Sequence, residues 1–404
     1  MGINNISRVW LLNGLVWLIK KTGIFYNTPI NLNYWWNFGV LSFFFLIIQI
    51  ITGLFLSMFY DPTILNAFAS ITYINNELYY GWWVRLLHAN GASFFFLCVY
   101  IHFFRGFFYG SFLYPRQMLW ISGVVIYILM VITAFLGYVL PWGQMSYWAA
   151  MVITSLLAAI PLIGSDLVLL VWGGFTIDNA SLHRFYALHF VLPFVLAVLS
   201  IIHVMLLHER GSSNPIGVQN PYDNVGFTPI YLLKDFLGVL CMLWCFFFFL
   251  FIVPDYFGHT LNYQEANFLV TPPHIVPEWY LLFYYAILRS VPGKLMGLLV
   301  MVSGLLIILM LPFILSMHII RSGSFKPVFK ICYWLFVFDT VLLGWIGGSP
   351  VIEPFLGLGL KLTIFYFVVI LILMPFSGYF DRYVYDTYVY IDQCIRKRLL
   401  NWEK

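Results

Sequence analysis

The sequence predicts an all-α polytopic membrane protein with eight transmembrane helices, and three observations predict this fold class. Of the 404 residues, 62% are hydrophobic and only 9% are charged, a composition that a water-soluble surface does not tolerate. Eight apolar stretches are each close to the ~17–25 residues that a helix needs to cross a bilayer. The Lys and Arg residues are sorted by loop, which is typical of multi-pass proteins.

The eight predicted spans cover most of the chain. They are residues 38–59, 82–108, 119–140, 185–208, 232–253, 295–318, 328–346 and 357–380. Two further apolar runs are short: 145–160 between the third and fourth spans, and 278–290 between the fifth and sixth. We expect both to be short helices on the membrane surface.

The predicted spans divide the chain into four parts. These are an N-terminal segment (1–33), a half with the first four spans (34–210), a half with the last four (211–380) and a basic C-terminal tail (381–404).

The charges predict the orientation in the membrane. Fifteen of the 20 Lys and Arg residues lie at the termini and in alternate loops, so the positive-inside rule places both termini on the inner side. The fifteen are Arg8, Lys20, Lys21, Arg105, Arg116, Arg210, Lys234, Arg321, Lys326, Lys330, Arg382, Arg396, Lys397, Arg398 and Lys404. The outer side is acidic and favours a cationic partner, and nothing in the charge pattern favours nucleic acid.

Four histidines form two pairs with equal spacing. His88 and His102 lie in the second span, and His189 and His203 lie in the fourth. Fourteen residues of helix rise by roughly 21 Å over about 3.9 turns, so each helix presents two imidazoles near opposite membrane surfaces on nearly one face. Two such helices form two bis-histidine sites. Because imidazole is the usual axial ligand of haem iron in helical bundles, we expect a membrane electron carrier with two haems.

Two other functions fit part of this pattern. A transporter or channel uses intramembrane histidines as a proton relay, but gives no reason for two matched spacings. The membrane anchor of a bacterial dehydrogenase is another di-haem protein. A single apolar histidine is usually a hydrogen-bonded core residue, and the matched spacing is what argues against that interpretation here.

Other residues follow the same interval or flank the histidines. Arg85 and Arg105 lie three residues outside His88 and His102, at the expected depth of haem propionates; snorkelling at a helix end is the alternative. Glycines with fourteen-residue spacing would leave room for a flat macrocycle against a helix, although helix packing also selects small residues. These glycines are Gly39, Gly53, Gly123 and Gly137.

Seven motifs, in order, make the chain resemble the mitochondrial-type cytochrome b family, the membrane core of quinol–cytochrome c oxidoreductase (the bc1 complex). They are WWNFG (35–39), RLLHANGAS (85–93), GYVLPWGQMS (137–146), LHERGSSNP (207–215), PPHIVPEWY (272–280), AILRS (286–290) and WIGG (345–348). The similarity runs from about residue 34 to 380. The uninterrupted chain and the fourth-span spacing favour the bc1 form over the b6f form.

The resemblance implies which histidines share a haem. His88 and His189 would hold the lower-potential haem near the outer face, and His102 and His203 the higher-potential haem near the inner face. A dehydrogenase anchor would not explain the PEWY and PWGQMS motifs together.

The resemblance also implies an outer, quinol-oxidising pocket. Glu278 of PEWY would accept a proton from quinol, while Tyr138, Tyr280 and Pro277 line the site. Without the resemblance, Glu278 reads as an acid at a helix N-terminus. Ala149 places a methyl group where the family usually has glycine.

An inner, quinone-reducing pocket is implied as well. His208 and Asp235 match the partners of the quinone ring, and Lys234 is adjacent; as bare sequence all three are ordinary helix-end residues. The remaining histidines have no partner at ligand spacing, and we expect solvated or locally bonded roles for them. They are His183, His259, His274 and His318.

The expected partners are separate chains. The sequence has no C-x-x-C-H motif, and its five cysteines form neither a disulfide framework nor an iron–sulfur ligand set. The Rieske protein and cytochrome c1 are therefore expected as other subunits of a homodimeric complex III. We expect ubiquinone as substrate and the mitochondrial inner membrane as location, with termini in the matrix.

Overall fold

The computed structural model describes residues 26–402 and is almost entirely helical. Most of the predicted N-terminal segment, with Arg8, Lys20 and Lys21 of the charge count, lies outside the described residues, as does Lys404. In chain order the helices are α1 Phe38–Ser57, α2 Ala67–Asn76, α3 Gly81–Phe108, α4 Gln117–Val139, α5 Gln144–Ser155, α6 Gly164–Trp172, α7 Asn179–Arg210, α8 Ile230–Ile252, α9 Leu282–Ser290, α10 Lys294–Ile314, α11 Pro327–Gly348, α12 Phe355–Val368 and α13 Met374–Trp402.

Eight helical segments of the described chain are long and apolar enough to cross a membrane, which confirms the predicted fold class. They are α1 with the 3₁₀ turn before it (Tyr34–Asn37), α3, α4, α7, α8, α10, α11, and the composite of α12 and α13. Each corresponds to one predicted span.

Two short helices lie where the sequence placed them, and two more were not predicted. α5 lies over the predicted run 145–160 and α9 over the run 278–290, whereas α6 (Gly164–Trp172) and α2 are additions. α2, between the first two spans, was not predicted because its ten residues mix apolar and polar side chains without a clear apolar run.

α7 begins six residues before its predicted start because of its N-terminal cap. The Asp178 carboxylate accepts the Asn179 backbone N–H, and Asp178 and Ser181 form a capping box. These bonds satisfy backbone donors that the apolar pattern does not reveal. The helix therefore extends into polar sequence.

A small antiparallel sheet joins the segment before α1 to the loop after α7. β1 (Asn27–Pro29) pairs with β2 (Asn224–Gly226). The Tyr231 hydroxyl at the start of α8 donates to the Pro29 carbonyl at 2.6 Å. The β1 segment is thereby held against the loop after α7 and the start of α8.

The two halves pack differently. In the first half α1 lies along α3 and α4 lies along α7. In the second half the short α9 is buried against α10, α11 and α12, with Ala286 and Ile287 fully enclosed. α9 comes close to its neighbours at glycines: Gly297 faces the Leu288 carbonyl and Gly347 faces the Leu282 carbonyl.

The last span has no boundary at residue 380. α12 passes through a π-helical turn (Val369–Leu373) into α13, which continues to Trp402. The tail predicted from 381 is thus a continuation of the eighth span. The division of the chain into four parts stays a prediction.

Gly347→Ala should destabilise the second half, because the added Cβ would overlap the Leu282 carbonyl. Overpacking of this kind costs about 1–3 kcal/mol. Gly344→Ala, one turn earlier on α11, is the matched control, since a Cβ there meets nothing within 4 Å. Thermal unfolding of the two variants would measure the difference, and equal melting temperatures would contradict this packing.

Candidate functional site: two histidine pairs and an outer cavity

The structure brings the four spaced histidines together as two pairs. The ring centroids of His88 (α3) and His189 (α7) are 6.2 Å apart, and those of His102 and His203 are 6.3 Å apart. Two imidazoles that bind one metal from opposite sides through bonds of about 2 Å have centroids roughly 6 Å apart. The spacing of each pair thus suits one metal ion between the rings.

Hydrogen bonds fix the tautomer of both outer rings. His88 Nδ1 lies 2.9 Å from the Thr52 hydroxyl, which itself donates to the Ile48 carbonyl at 2.6 Å; the Thr52 oxygen therefore accepts from Nδ1–H. His189 Nδ1 lies 2.8 Å from the Thr133 carbonyl, which can only accept. Both rings carry their proton on Nδ1 and leave the Nε2 lone pair free, the arrangement of metal-bound histidine.

One inner ring has the same arrangement. His203 Nδ1 is 2.8 Å from the Ser122 hydroxyl, and that hydroxyl donates to the Leu119 carbonyl at 2.8 Å. The Ser122 oxygen thus accepts from His203 Nδ1–H, and Nε2 is again free.

The other inner ring faces a cation. Arg105 Nη2 lies 3.0 Å from His102 Nδ1, and because guanidinium only donates, Nδ1 is the acceptor here. Arg105 lies over the Trp36 ring at 5.0 Å, and its Nε is buried without a hydrogen-bond partner among the described residues. Arg105 is a buried cation that still has a donor to satisfy.

Each glycine of the fourteen-residue set lies against one histidine ring. A Cβ built on Gly53 would lie 3.1 Å from His88 Cε1, which is closer than ordinary packing allows. Gly39 meets His102, Gly123 meets His203, and Gly137 meets His189, the last most tightly. The shared interval therefore matches that of the histidines because each glycine makes room for one imidazole; the predicted room for a macrocycle stays a prediction.

The Nδ1 partners were missed from sequence, although a signal for two of them exists. Thr52 and Ser122 each come directly before a glycine of the set, Gly53 and Gly123. For His88 and His203, a hydroxyl followed by a glycine on the facing helix supplies the hydrogen-bond acceptor for Nδ1–H and the space for the ring.

A cavity of about 300 Å³ lies beside the outer pair. Predicted site residues from five separate parts of the chain line it: Gly53, Arg85, His88, Gly137, Tyr138, His189, Glu278 and Tyr280. Pro277 and Ala149 are not among its lining residues; Ala149 is buried within α5.

The PEWY segment is held against α3. The Trp279 indole N–H donates to the Ser93 hydroxyl at 3.1 Å. The Tyr280 ring stacks on Phe96 with centroids 3.8 Å apart, and its carbonyl accepts from the Tyr100 hydroxyl. Glu278 is therefore fixed at the wall of the same cavity that contains His88.

The pKa of the Glu278 carboxyl lies near neutral pH. Burial raises the pKa of Glu278 to about 7, and a hydrogen bond with the Tyr138 hydroxyl works against this rise. A carboxyl with this pKa exists in both forms near neutral pH, which is what reversible proton transfer requires.

The PWGQMS segment is braced by the loop that leads to PEWY. The side-chain amide of Gln144 makes two hydrogen bonds to this loop. Its Nε2 donates to the Val270 carbonyl at 3.1 Å, and its Oε1 accepts the Asn267 N–H at 2.8 Å. The Ser146 hydroxyl lies 2.6 Å from the Tyr138 carbonyl and 3.0 Å from Asn262 Oδ1. These bonds place Tyr138 beside Glu278.

The predicted inner-site residues lie under the β1–β2 sheet. The His208 ring stacks on Tyr26, with centroids 4.3 Å apart. Lys234 Nζ donates to the Leu32 carbonyl at 2.5 Å and lies 4.7 Å from the Tyr34 ring centroid. Within residues 26–402, no hydrogen bond joins His208 to Lys234 or Asp235.

The other four histidines have separate surroundings. His183 Nδ1 bonds the Asn179 carbonyl at 2.9 Å. His259 lines the outer cavity and accepts the Leu261 N–H. His274 Nε2 is buried and unpaired within the described chain, and His318 is buried beside Lys326.

Comparison with known proteins decides the family. A family model described as "Cytochrome b/b6/petB" matches residues 24–211, and "Cytochrome b(C-terminal)/b6/petD" matches residues 265–367. The chain belongs to the cytochrome b family. Membership decides against the transporter and dehydrogenase-anchor alternatives, and the family binds haem b.

Individual cytochromes b are similar to this chain along most of their length. Cytochrome b of Chondrus crispus is 48% identical over 372 residues, covering 92% of this chain and 97% of that protein. That of Acanthamoeba castellanii is 52% identical over 364 residues (90% and 93%), and that of Rhodospirillum rubrum 48% over 383 residues (94% and 94%). A chain of a solved structure titled "Hyperthermophilic respiratory Complex III" matches with a TM-score of 0.85 at 36% identity, covering 91% of this chain and 97% of that chain.

Tyr138→Phe should raise the pKa of Glu278 above 7, because the hydroxyl that lowers it is lost. An infrared pH titration of the carboxyl band, assigned with Glu278→Gln, measures the shift. Tyr147→Phe is the control, since Tyr147 is buried in α5 and does not line the cavity. An unchanged or lower Glu278 pKa in Tyr138→Phe would contradict the proposed bond.

Proposed function

We propose that this chain is the catalytic membrane subunit of quinol–cytochrome c reductase, respiratory complex III. It oxidises quinol at the outer pocket and reduces quinone at the inner pocket, with net proton translocation. The observation that carries this proposal is the stacking of two facing histidine pairs along the same two helices, α3 and α7, in a member of the cytochrome b family.

The residues present fit two haem groups. Each histidine pair offers two facing imidazole nitrogens, the ligand type that would hold a haem iron. His88 with His189 would hold the outer haem and His102 with His203 the inner one. Bound haem supplies the one-electron iron couple that connects the two pockets.

Arg105 supports the inner site in particular. Its buried Nε has no partner in the described chain, and a propionate at this depth would supply the missing anion. Arg105 would then leave His102 Nδ1, and this ring would take the same tautomer as the other three. Arg85, which lines the outer cavity, is the equivalent residue for the outer group.

In the outer pocket, Glu278 would accept a proton from quinol at a carboxylate oxygen. Its pKa of about 7 matches this role, and Tyr138 and Tyr280 would orient the quinol against it. Pro277, directly before Glu278, would restrict the backbone at the start of this segment, whereas Ala149 is buried within α5 and does not line the cavity. In the inner pocket, His208 and Asp235 would bind the quinone carbonyls, and Lys234 would favour proton uptake nearby.

The partners and location follow the same proposal. We infer a homodimer with the Rieske iron–sulfur protein and cytochrome c1, which dock on the outer side, and ubiquinone as the substrate. The matched structure is titled as a respiratory complex III, which supports assembly with such subunits. Relatives are named from both eukaryotes and bacteria; the mitochondrial inner membrane, with termini in the matrix, is the location we propose.

Replacing His88 should abolish the outer, lower-potential haem and leave the inner one, because each pair shares one iron. His88→Leu and His189→Leu should lose the same component, and His102→Leu and His203→Leu the other. Reduced-minus-oxidised spectra with redox titration measure this. His183→Leu, on α7 but outside both pairs, is the control. Loss of one and the same component in His88→Leu and His102→Leu would overturn the pairing.

Glu278→Gln should slow quinol oxidation by about 10²-fold, the lower end of the range for general-base catalysis, because an amide accepts no proton. The native rate should rise with pH through about 7, as the carboxylate forms, and the variant should lose this limb. Both haem spectra should stay intact. Glu265→Gln, an exposed acid of the same loop, is the control. Native turnover in Glu278→Gln across this pH range would remove Glu278 from the mechanism.

A further inference from the structure

Three buried titratable side chains meet where the eighth span continues into the C-terminal helix. His318 comes from the loop after α10, Lys326 directly precedes α11, and Asp381 lies in α13. Their exposed fractions are 5%, 2% and 4%. We call these three residues the C-terminal anchor; none belongs to either histidine pair or to the outer cavity.

Hydrogen bonds connect Lys326 to α13 through His318. His318 Nε2 lies 3.1 Å from the Met374 carbonyl, so this nitrogen carries the proton. His318 Nδ1 is therefore an acceptor, and Lys326 Nζ donates to it at 3.2 Å. The Lys326 amine also lies 3.8 Å from the Phe329 ring centroid. The amine has little water around it.

Asp381 binds the start of a different helix. Its two carboxylate oxygens accept the backbone N–H groups of Val328 (3.3 Å) and Phe329 (3.2 Å), in the first turn of α11. A carboxylate at a helix N-terminus is stabilised by these donors and by the helix dipole. Asp381 therefore keeps partners for its charge even when Lys326 is neutral.

The anchor acts at one point of α13. Met374 is the first residue after the π-helical turn, and a Cβ on Gly378 would lie only 2.7 Å from His318 Nε2. Short π-helical turns inside an α-helix are local irregularities that are frequent at functional positions. Only a glycine at position 378 lets α13 pass this close to the His318 ring.

Beyond Asp381, little else holds the helix. Its side chains are mostly exposed as far as Arg398. Its ion pairs, Arg382 with Asp386 at 3.6 Å and Arg396 with Asp392 at 2.8 Å, are exposed and lie within the helix itself. Such pairs stabilise little and fix no orientation. The docking of α13 therefore depends on the anchor.

We propose that Lys326 is a proton-binding site that controls the docking of the C-terminal helix: α13 is held while the amine is neutral and is loosened when it is protonated. The neutral amine still donates to His318, and Asp381 still binds α11. Protonation places an ammonium in a site where burial excludes water, and release of α13 gives it water again.

The pH range follows from the groups around the amine. Burial lowers the pKa of Lys326 to about 7, and Asp381 opposes this shift. Burial and Lys326 lower the pKa of His318 to about 3, so His318 stays neutral. Cys332, further along α11, faces this region as a thiol that donates to the Leu373 carbonyl at 3.8 Å. An exposed lysine has a pKa of about 10.4.

Proton linkage sets the direction in which docking of α13 changes with pH. Between about pH 7 and 10.4 the loosened state binds a proton that the anchored state does not, so docking strengthens as pH rises, by up to about tenfold per pH unit. Below about pH 7 both states are protonated and the dependence ends.

Amide hydrogen exchange on the purified complex tests the proposal, using peptides within residues 382–398 and rates corrected for intrinsic pH dependence. The native opening equilibrium should increase about tenfold from about pH 8.5 to about pH 7. Lys326→Met should stay protected with no such dependence. Lys326→Arg, charged at every pH, should exchange faster throughout. Lys330→Met, an exposed lysine of the same helix, should keep the native response.

Two results would overturn the proposal. One is a native complex whose corrected exchange does not change with pH. The other is the same pH response in Lys326→Met as in the native complex. If Lys326→Arg fails to assemble, Lys326→Met and Lys330→Met alone decide the question, and absorption spectra of the variants show whether the haem-binding half is intact.

Discussion

The constraint on which this structure depends is that a polar ring inside an apolar bundle needs a fixed hydrogen-bond partner for its N–H. In a membrane, water does not supply that partner. Three of the four paired histidines therefore bond through Nδ1 to a hydroxyl or carbonyl on the facing helix. This one requirement sets the rotation of α1 and α4 relative to α3 and α7, and it leaves Nε2 of these three rings free.

Features that depend on a single helix could be predicted from the sequence, and features that depend on contacts between elements could not. The spans and the histidine spacing are properties of single helices, so the helical period and the length of the apolar stretches were sufficient to predict them. The partners Thr52 and Ser122 depend on how two helices rotate against each other, which one helix's pattern does not contain. The start of α7 at Asn179 depends on a cap, and beyond residue 380 the last helix continues into polar sequence, where Asp381 bonds the first turn of α11. The sequence also assigned Pro277 and Ala149 to the outer pocket, and neither lines the cavity beside His88.

The outer cavity combines two halves that are far apart in the chain. The first half contributes His88, His189 and Tyr138, whereas Glu278 and Tyr280 arrive on a segment that precedes the buried α9. Because α9 is wedged between α10, α11 and α12 with glycines at its closest approaches, the PEWY segment has a rigid support. The proton transfer proposed for Glu278 would need such support, since small displacements of a reacting group change the rate strongly.

The β1–β2 sheet has a consequence for how the chain is made. β1 ends at Pro29 and β2 begins at Asn224, so the first strand has no pairing partner until the fourth span has been synthesised. Ribosomes add residues at about 5–20 per second, and chains fold from the N-terminus onward. For on the order of ten seconds or more, the segment before α1 must therefore stay unpaired while four helices are inserted next to it. The first part of the sheet to be translated is thus among the last parts of this half to reach its final position.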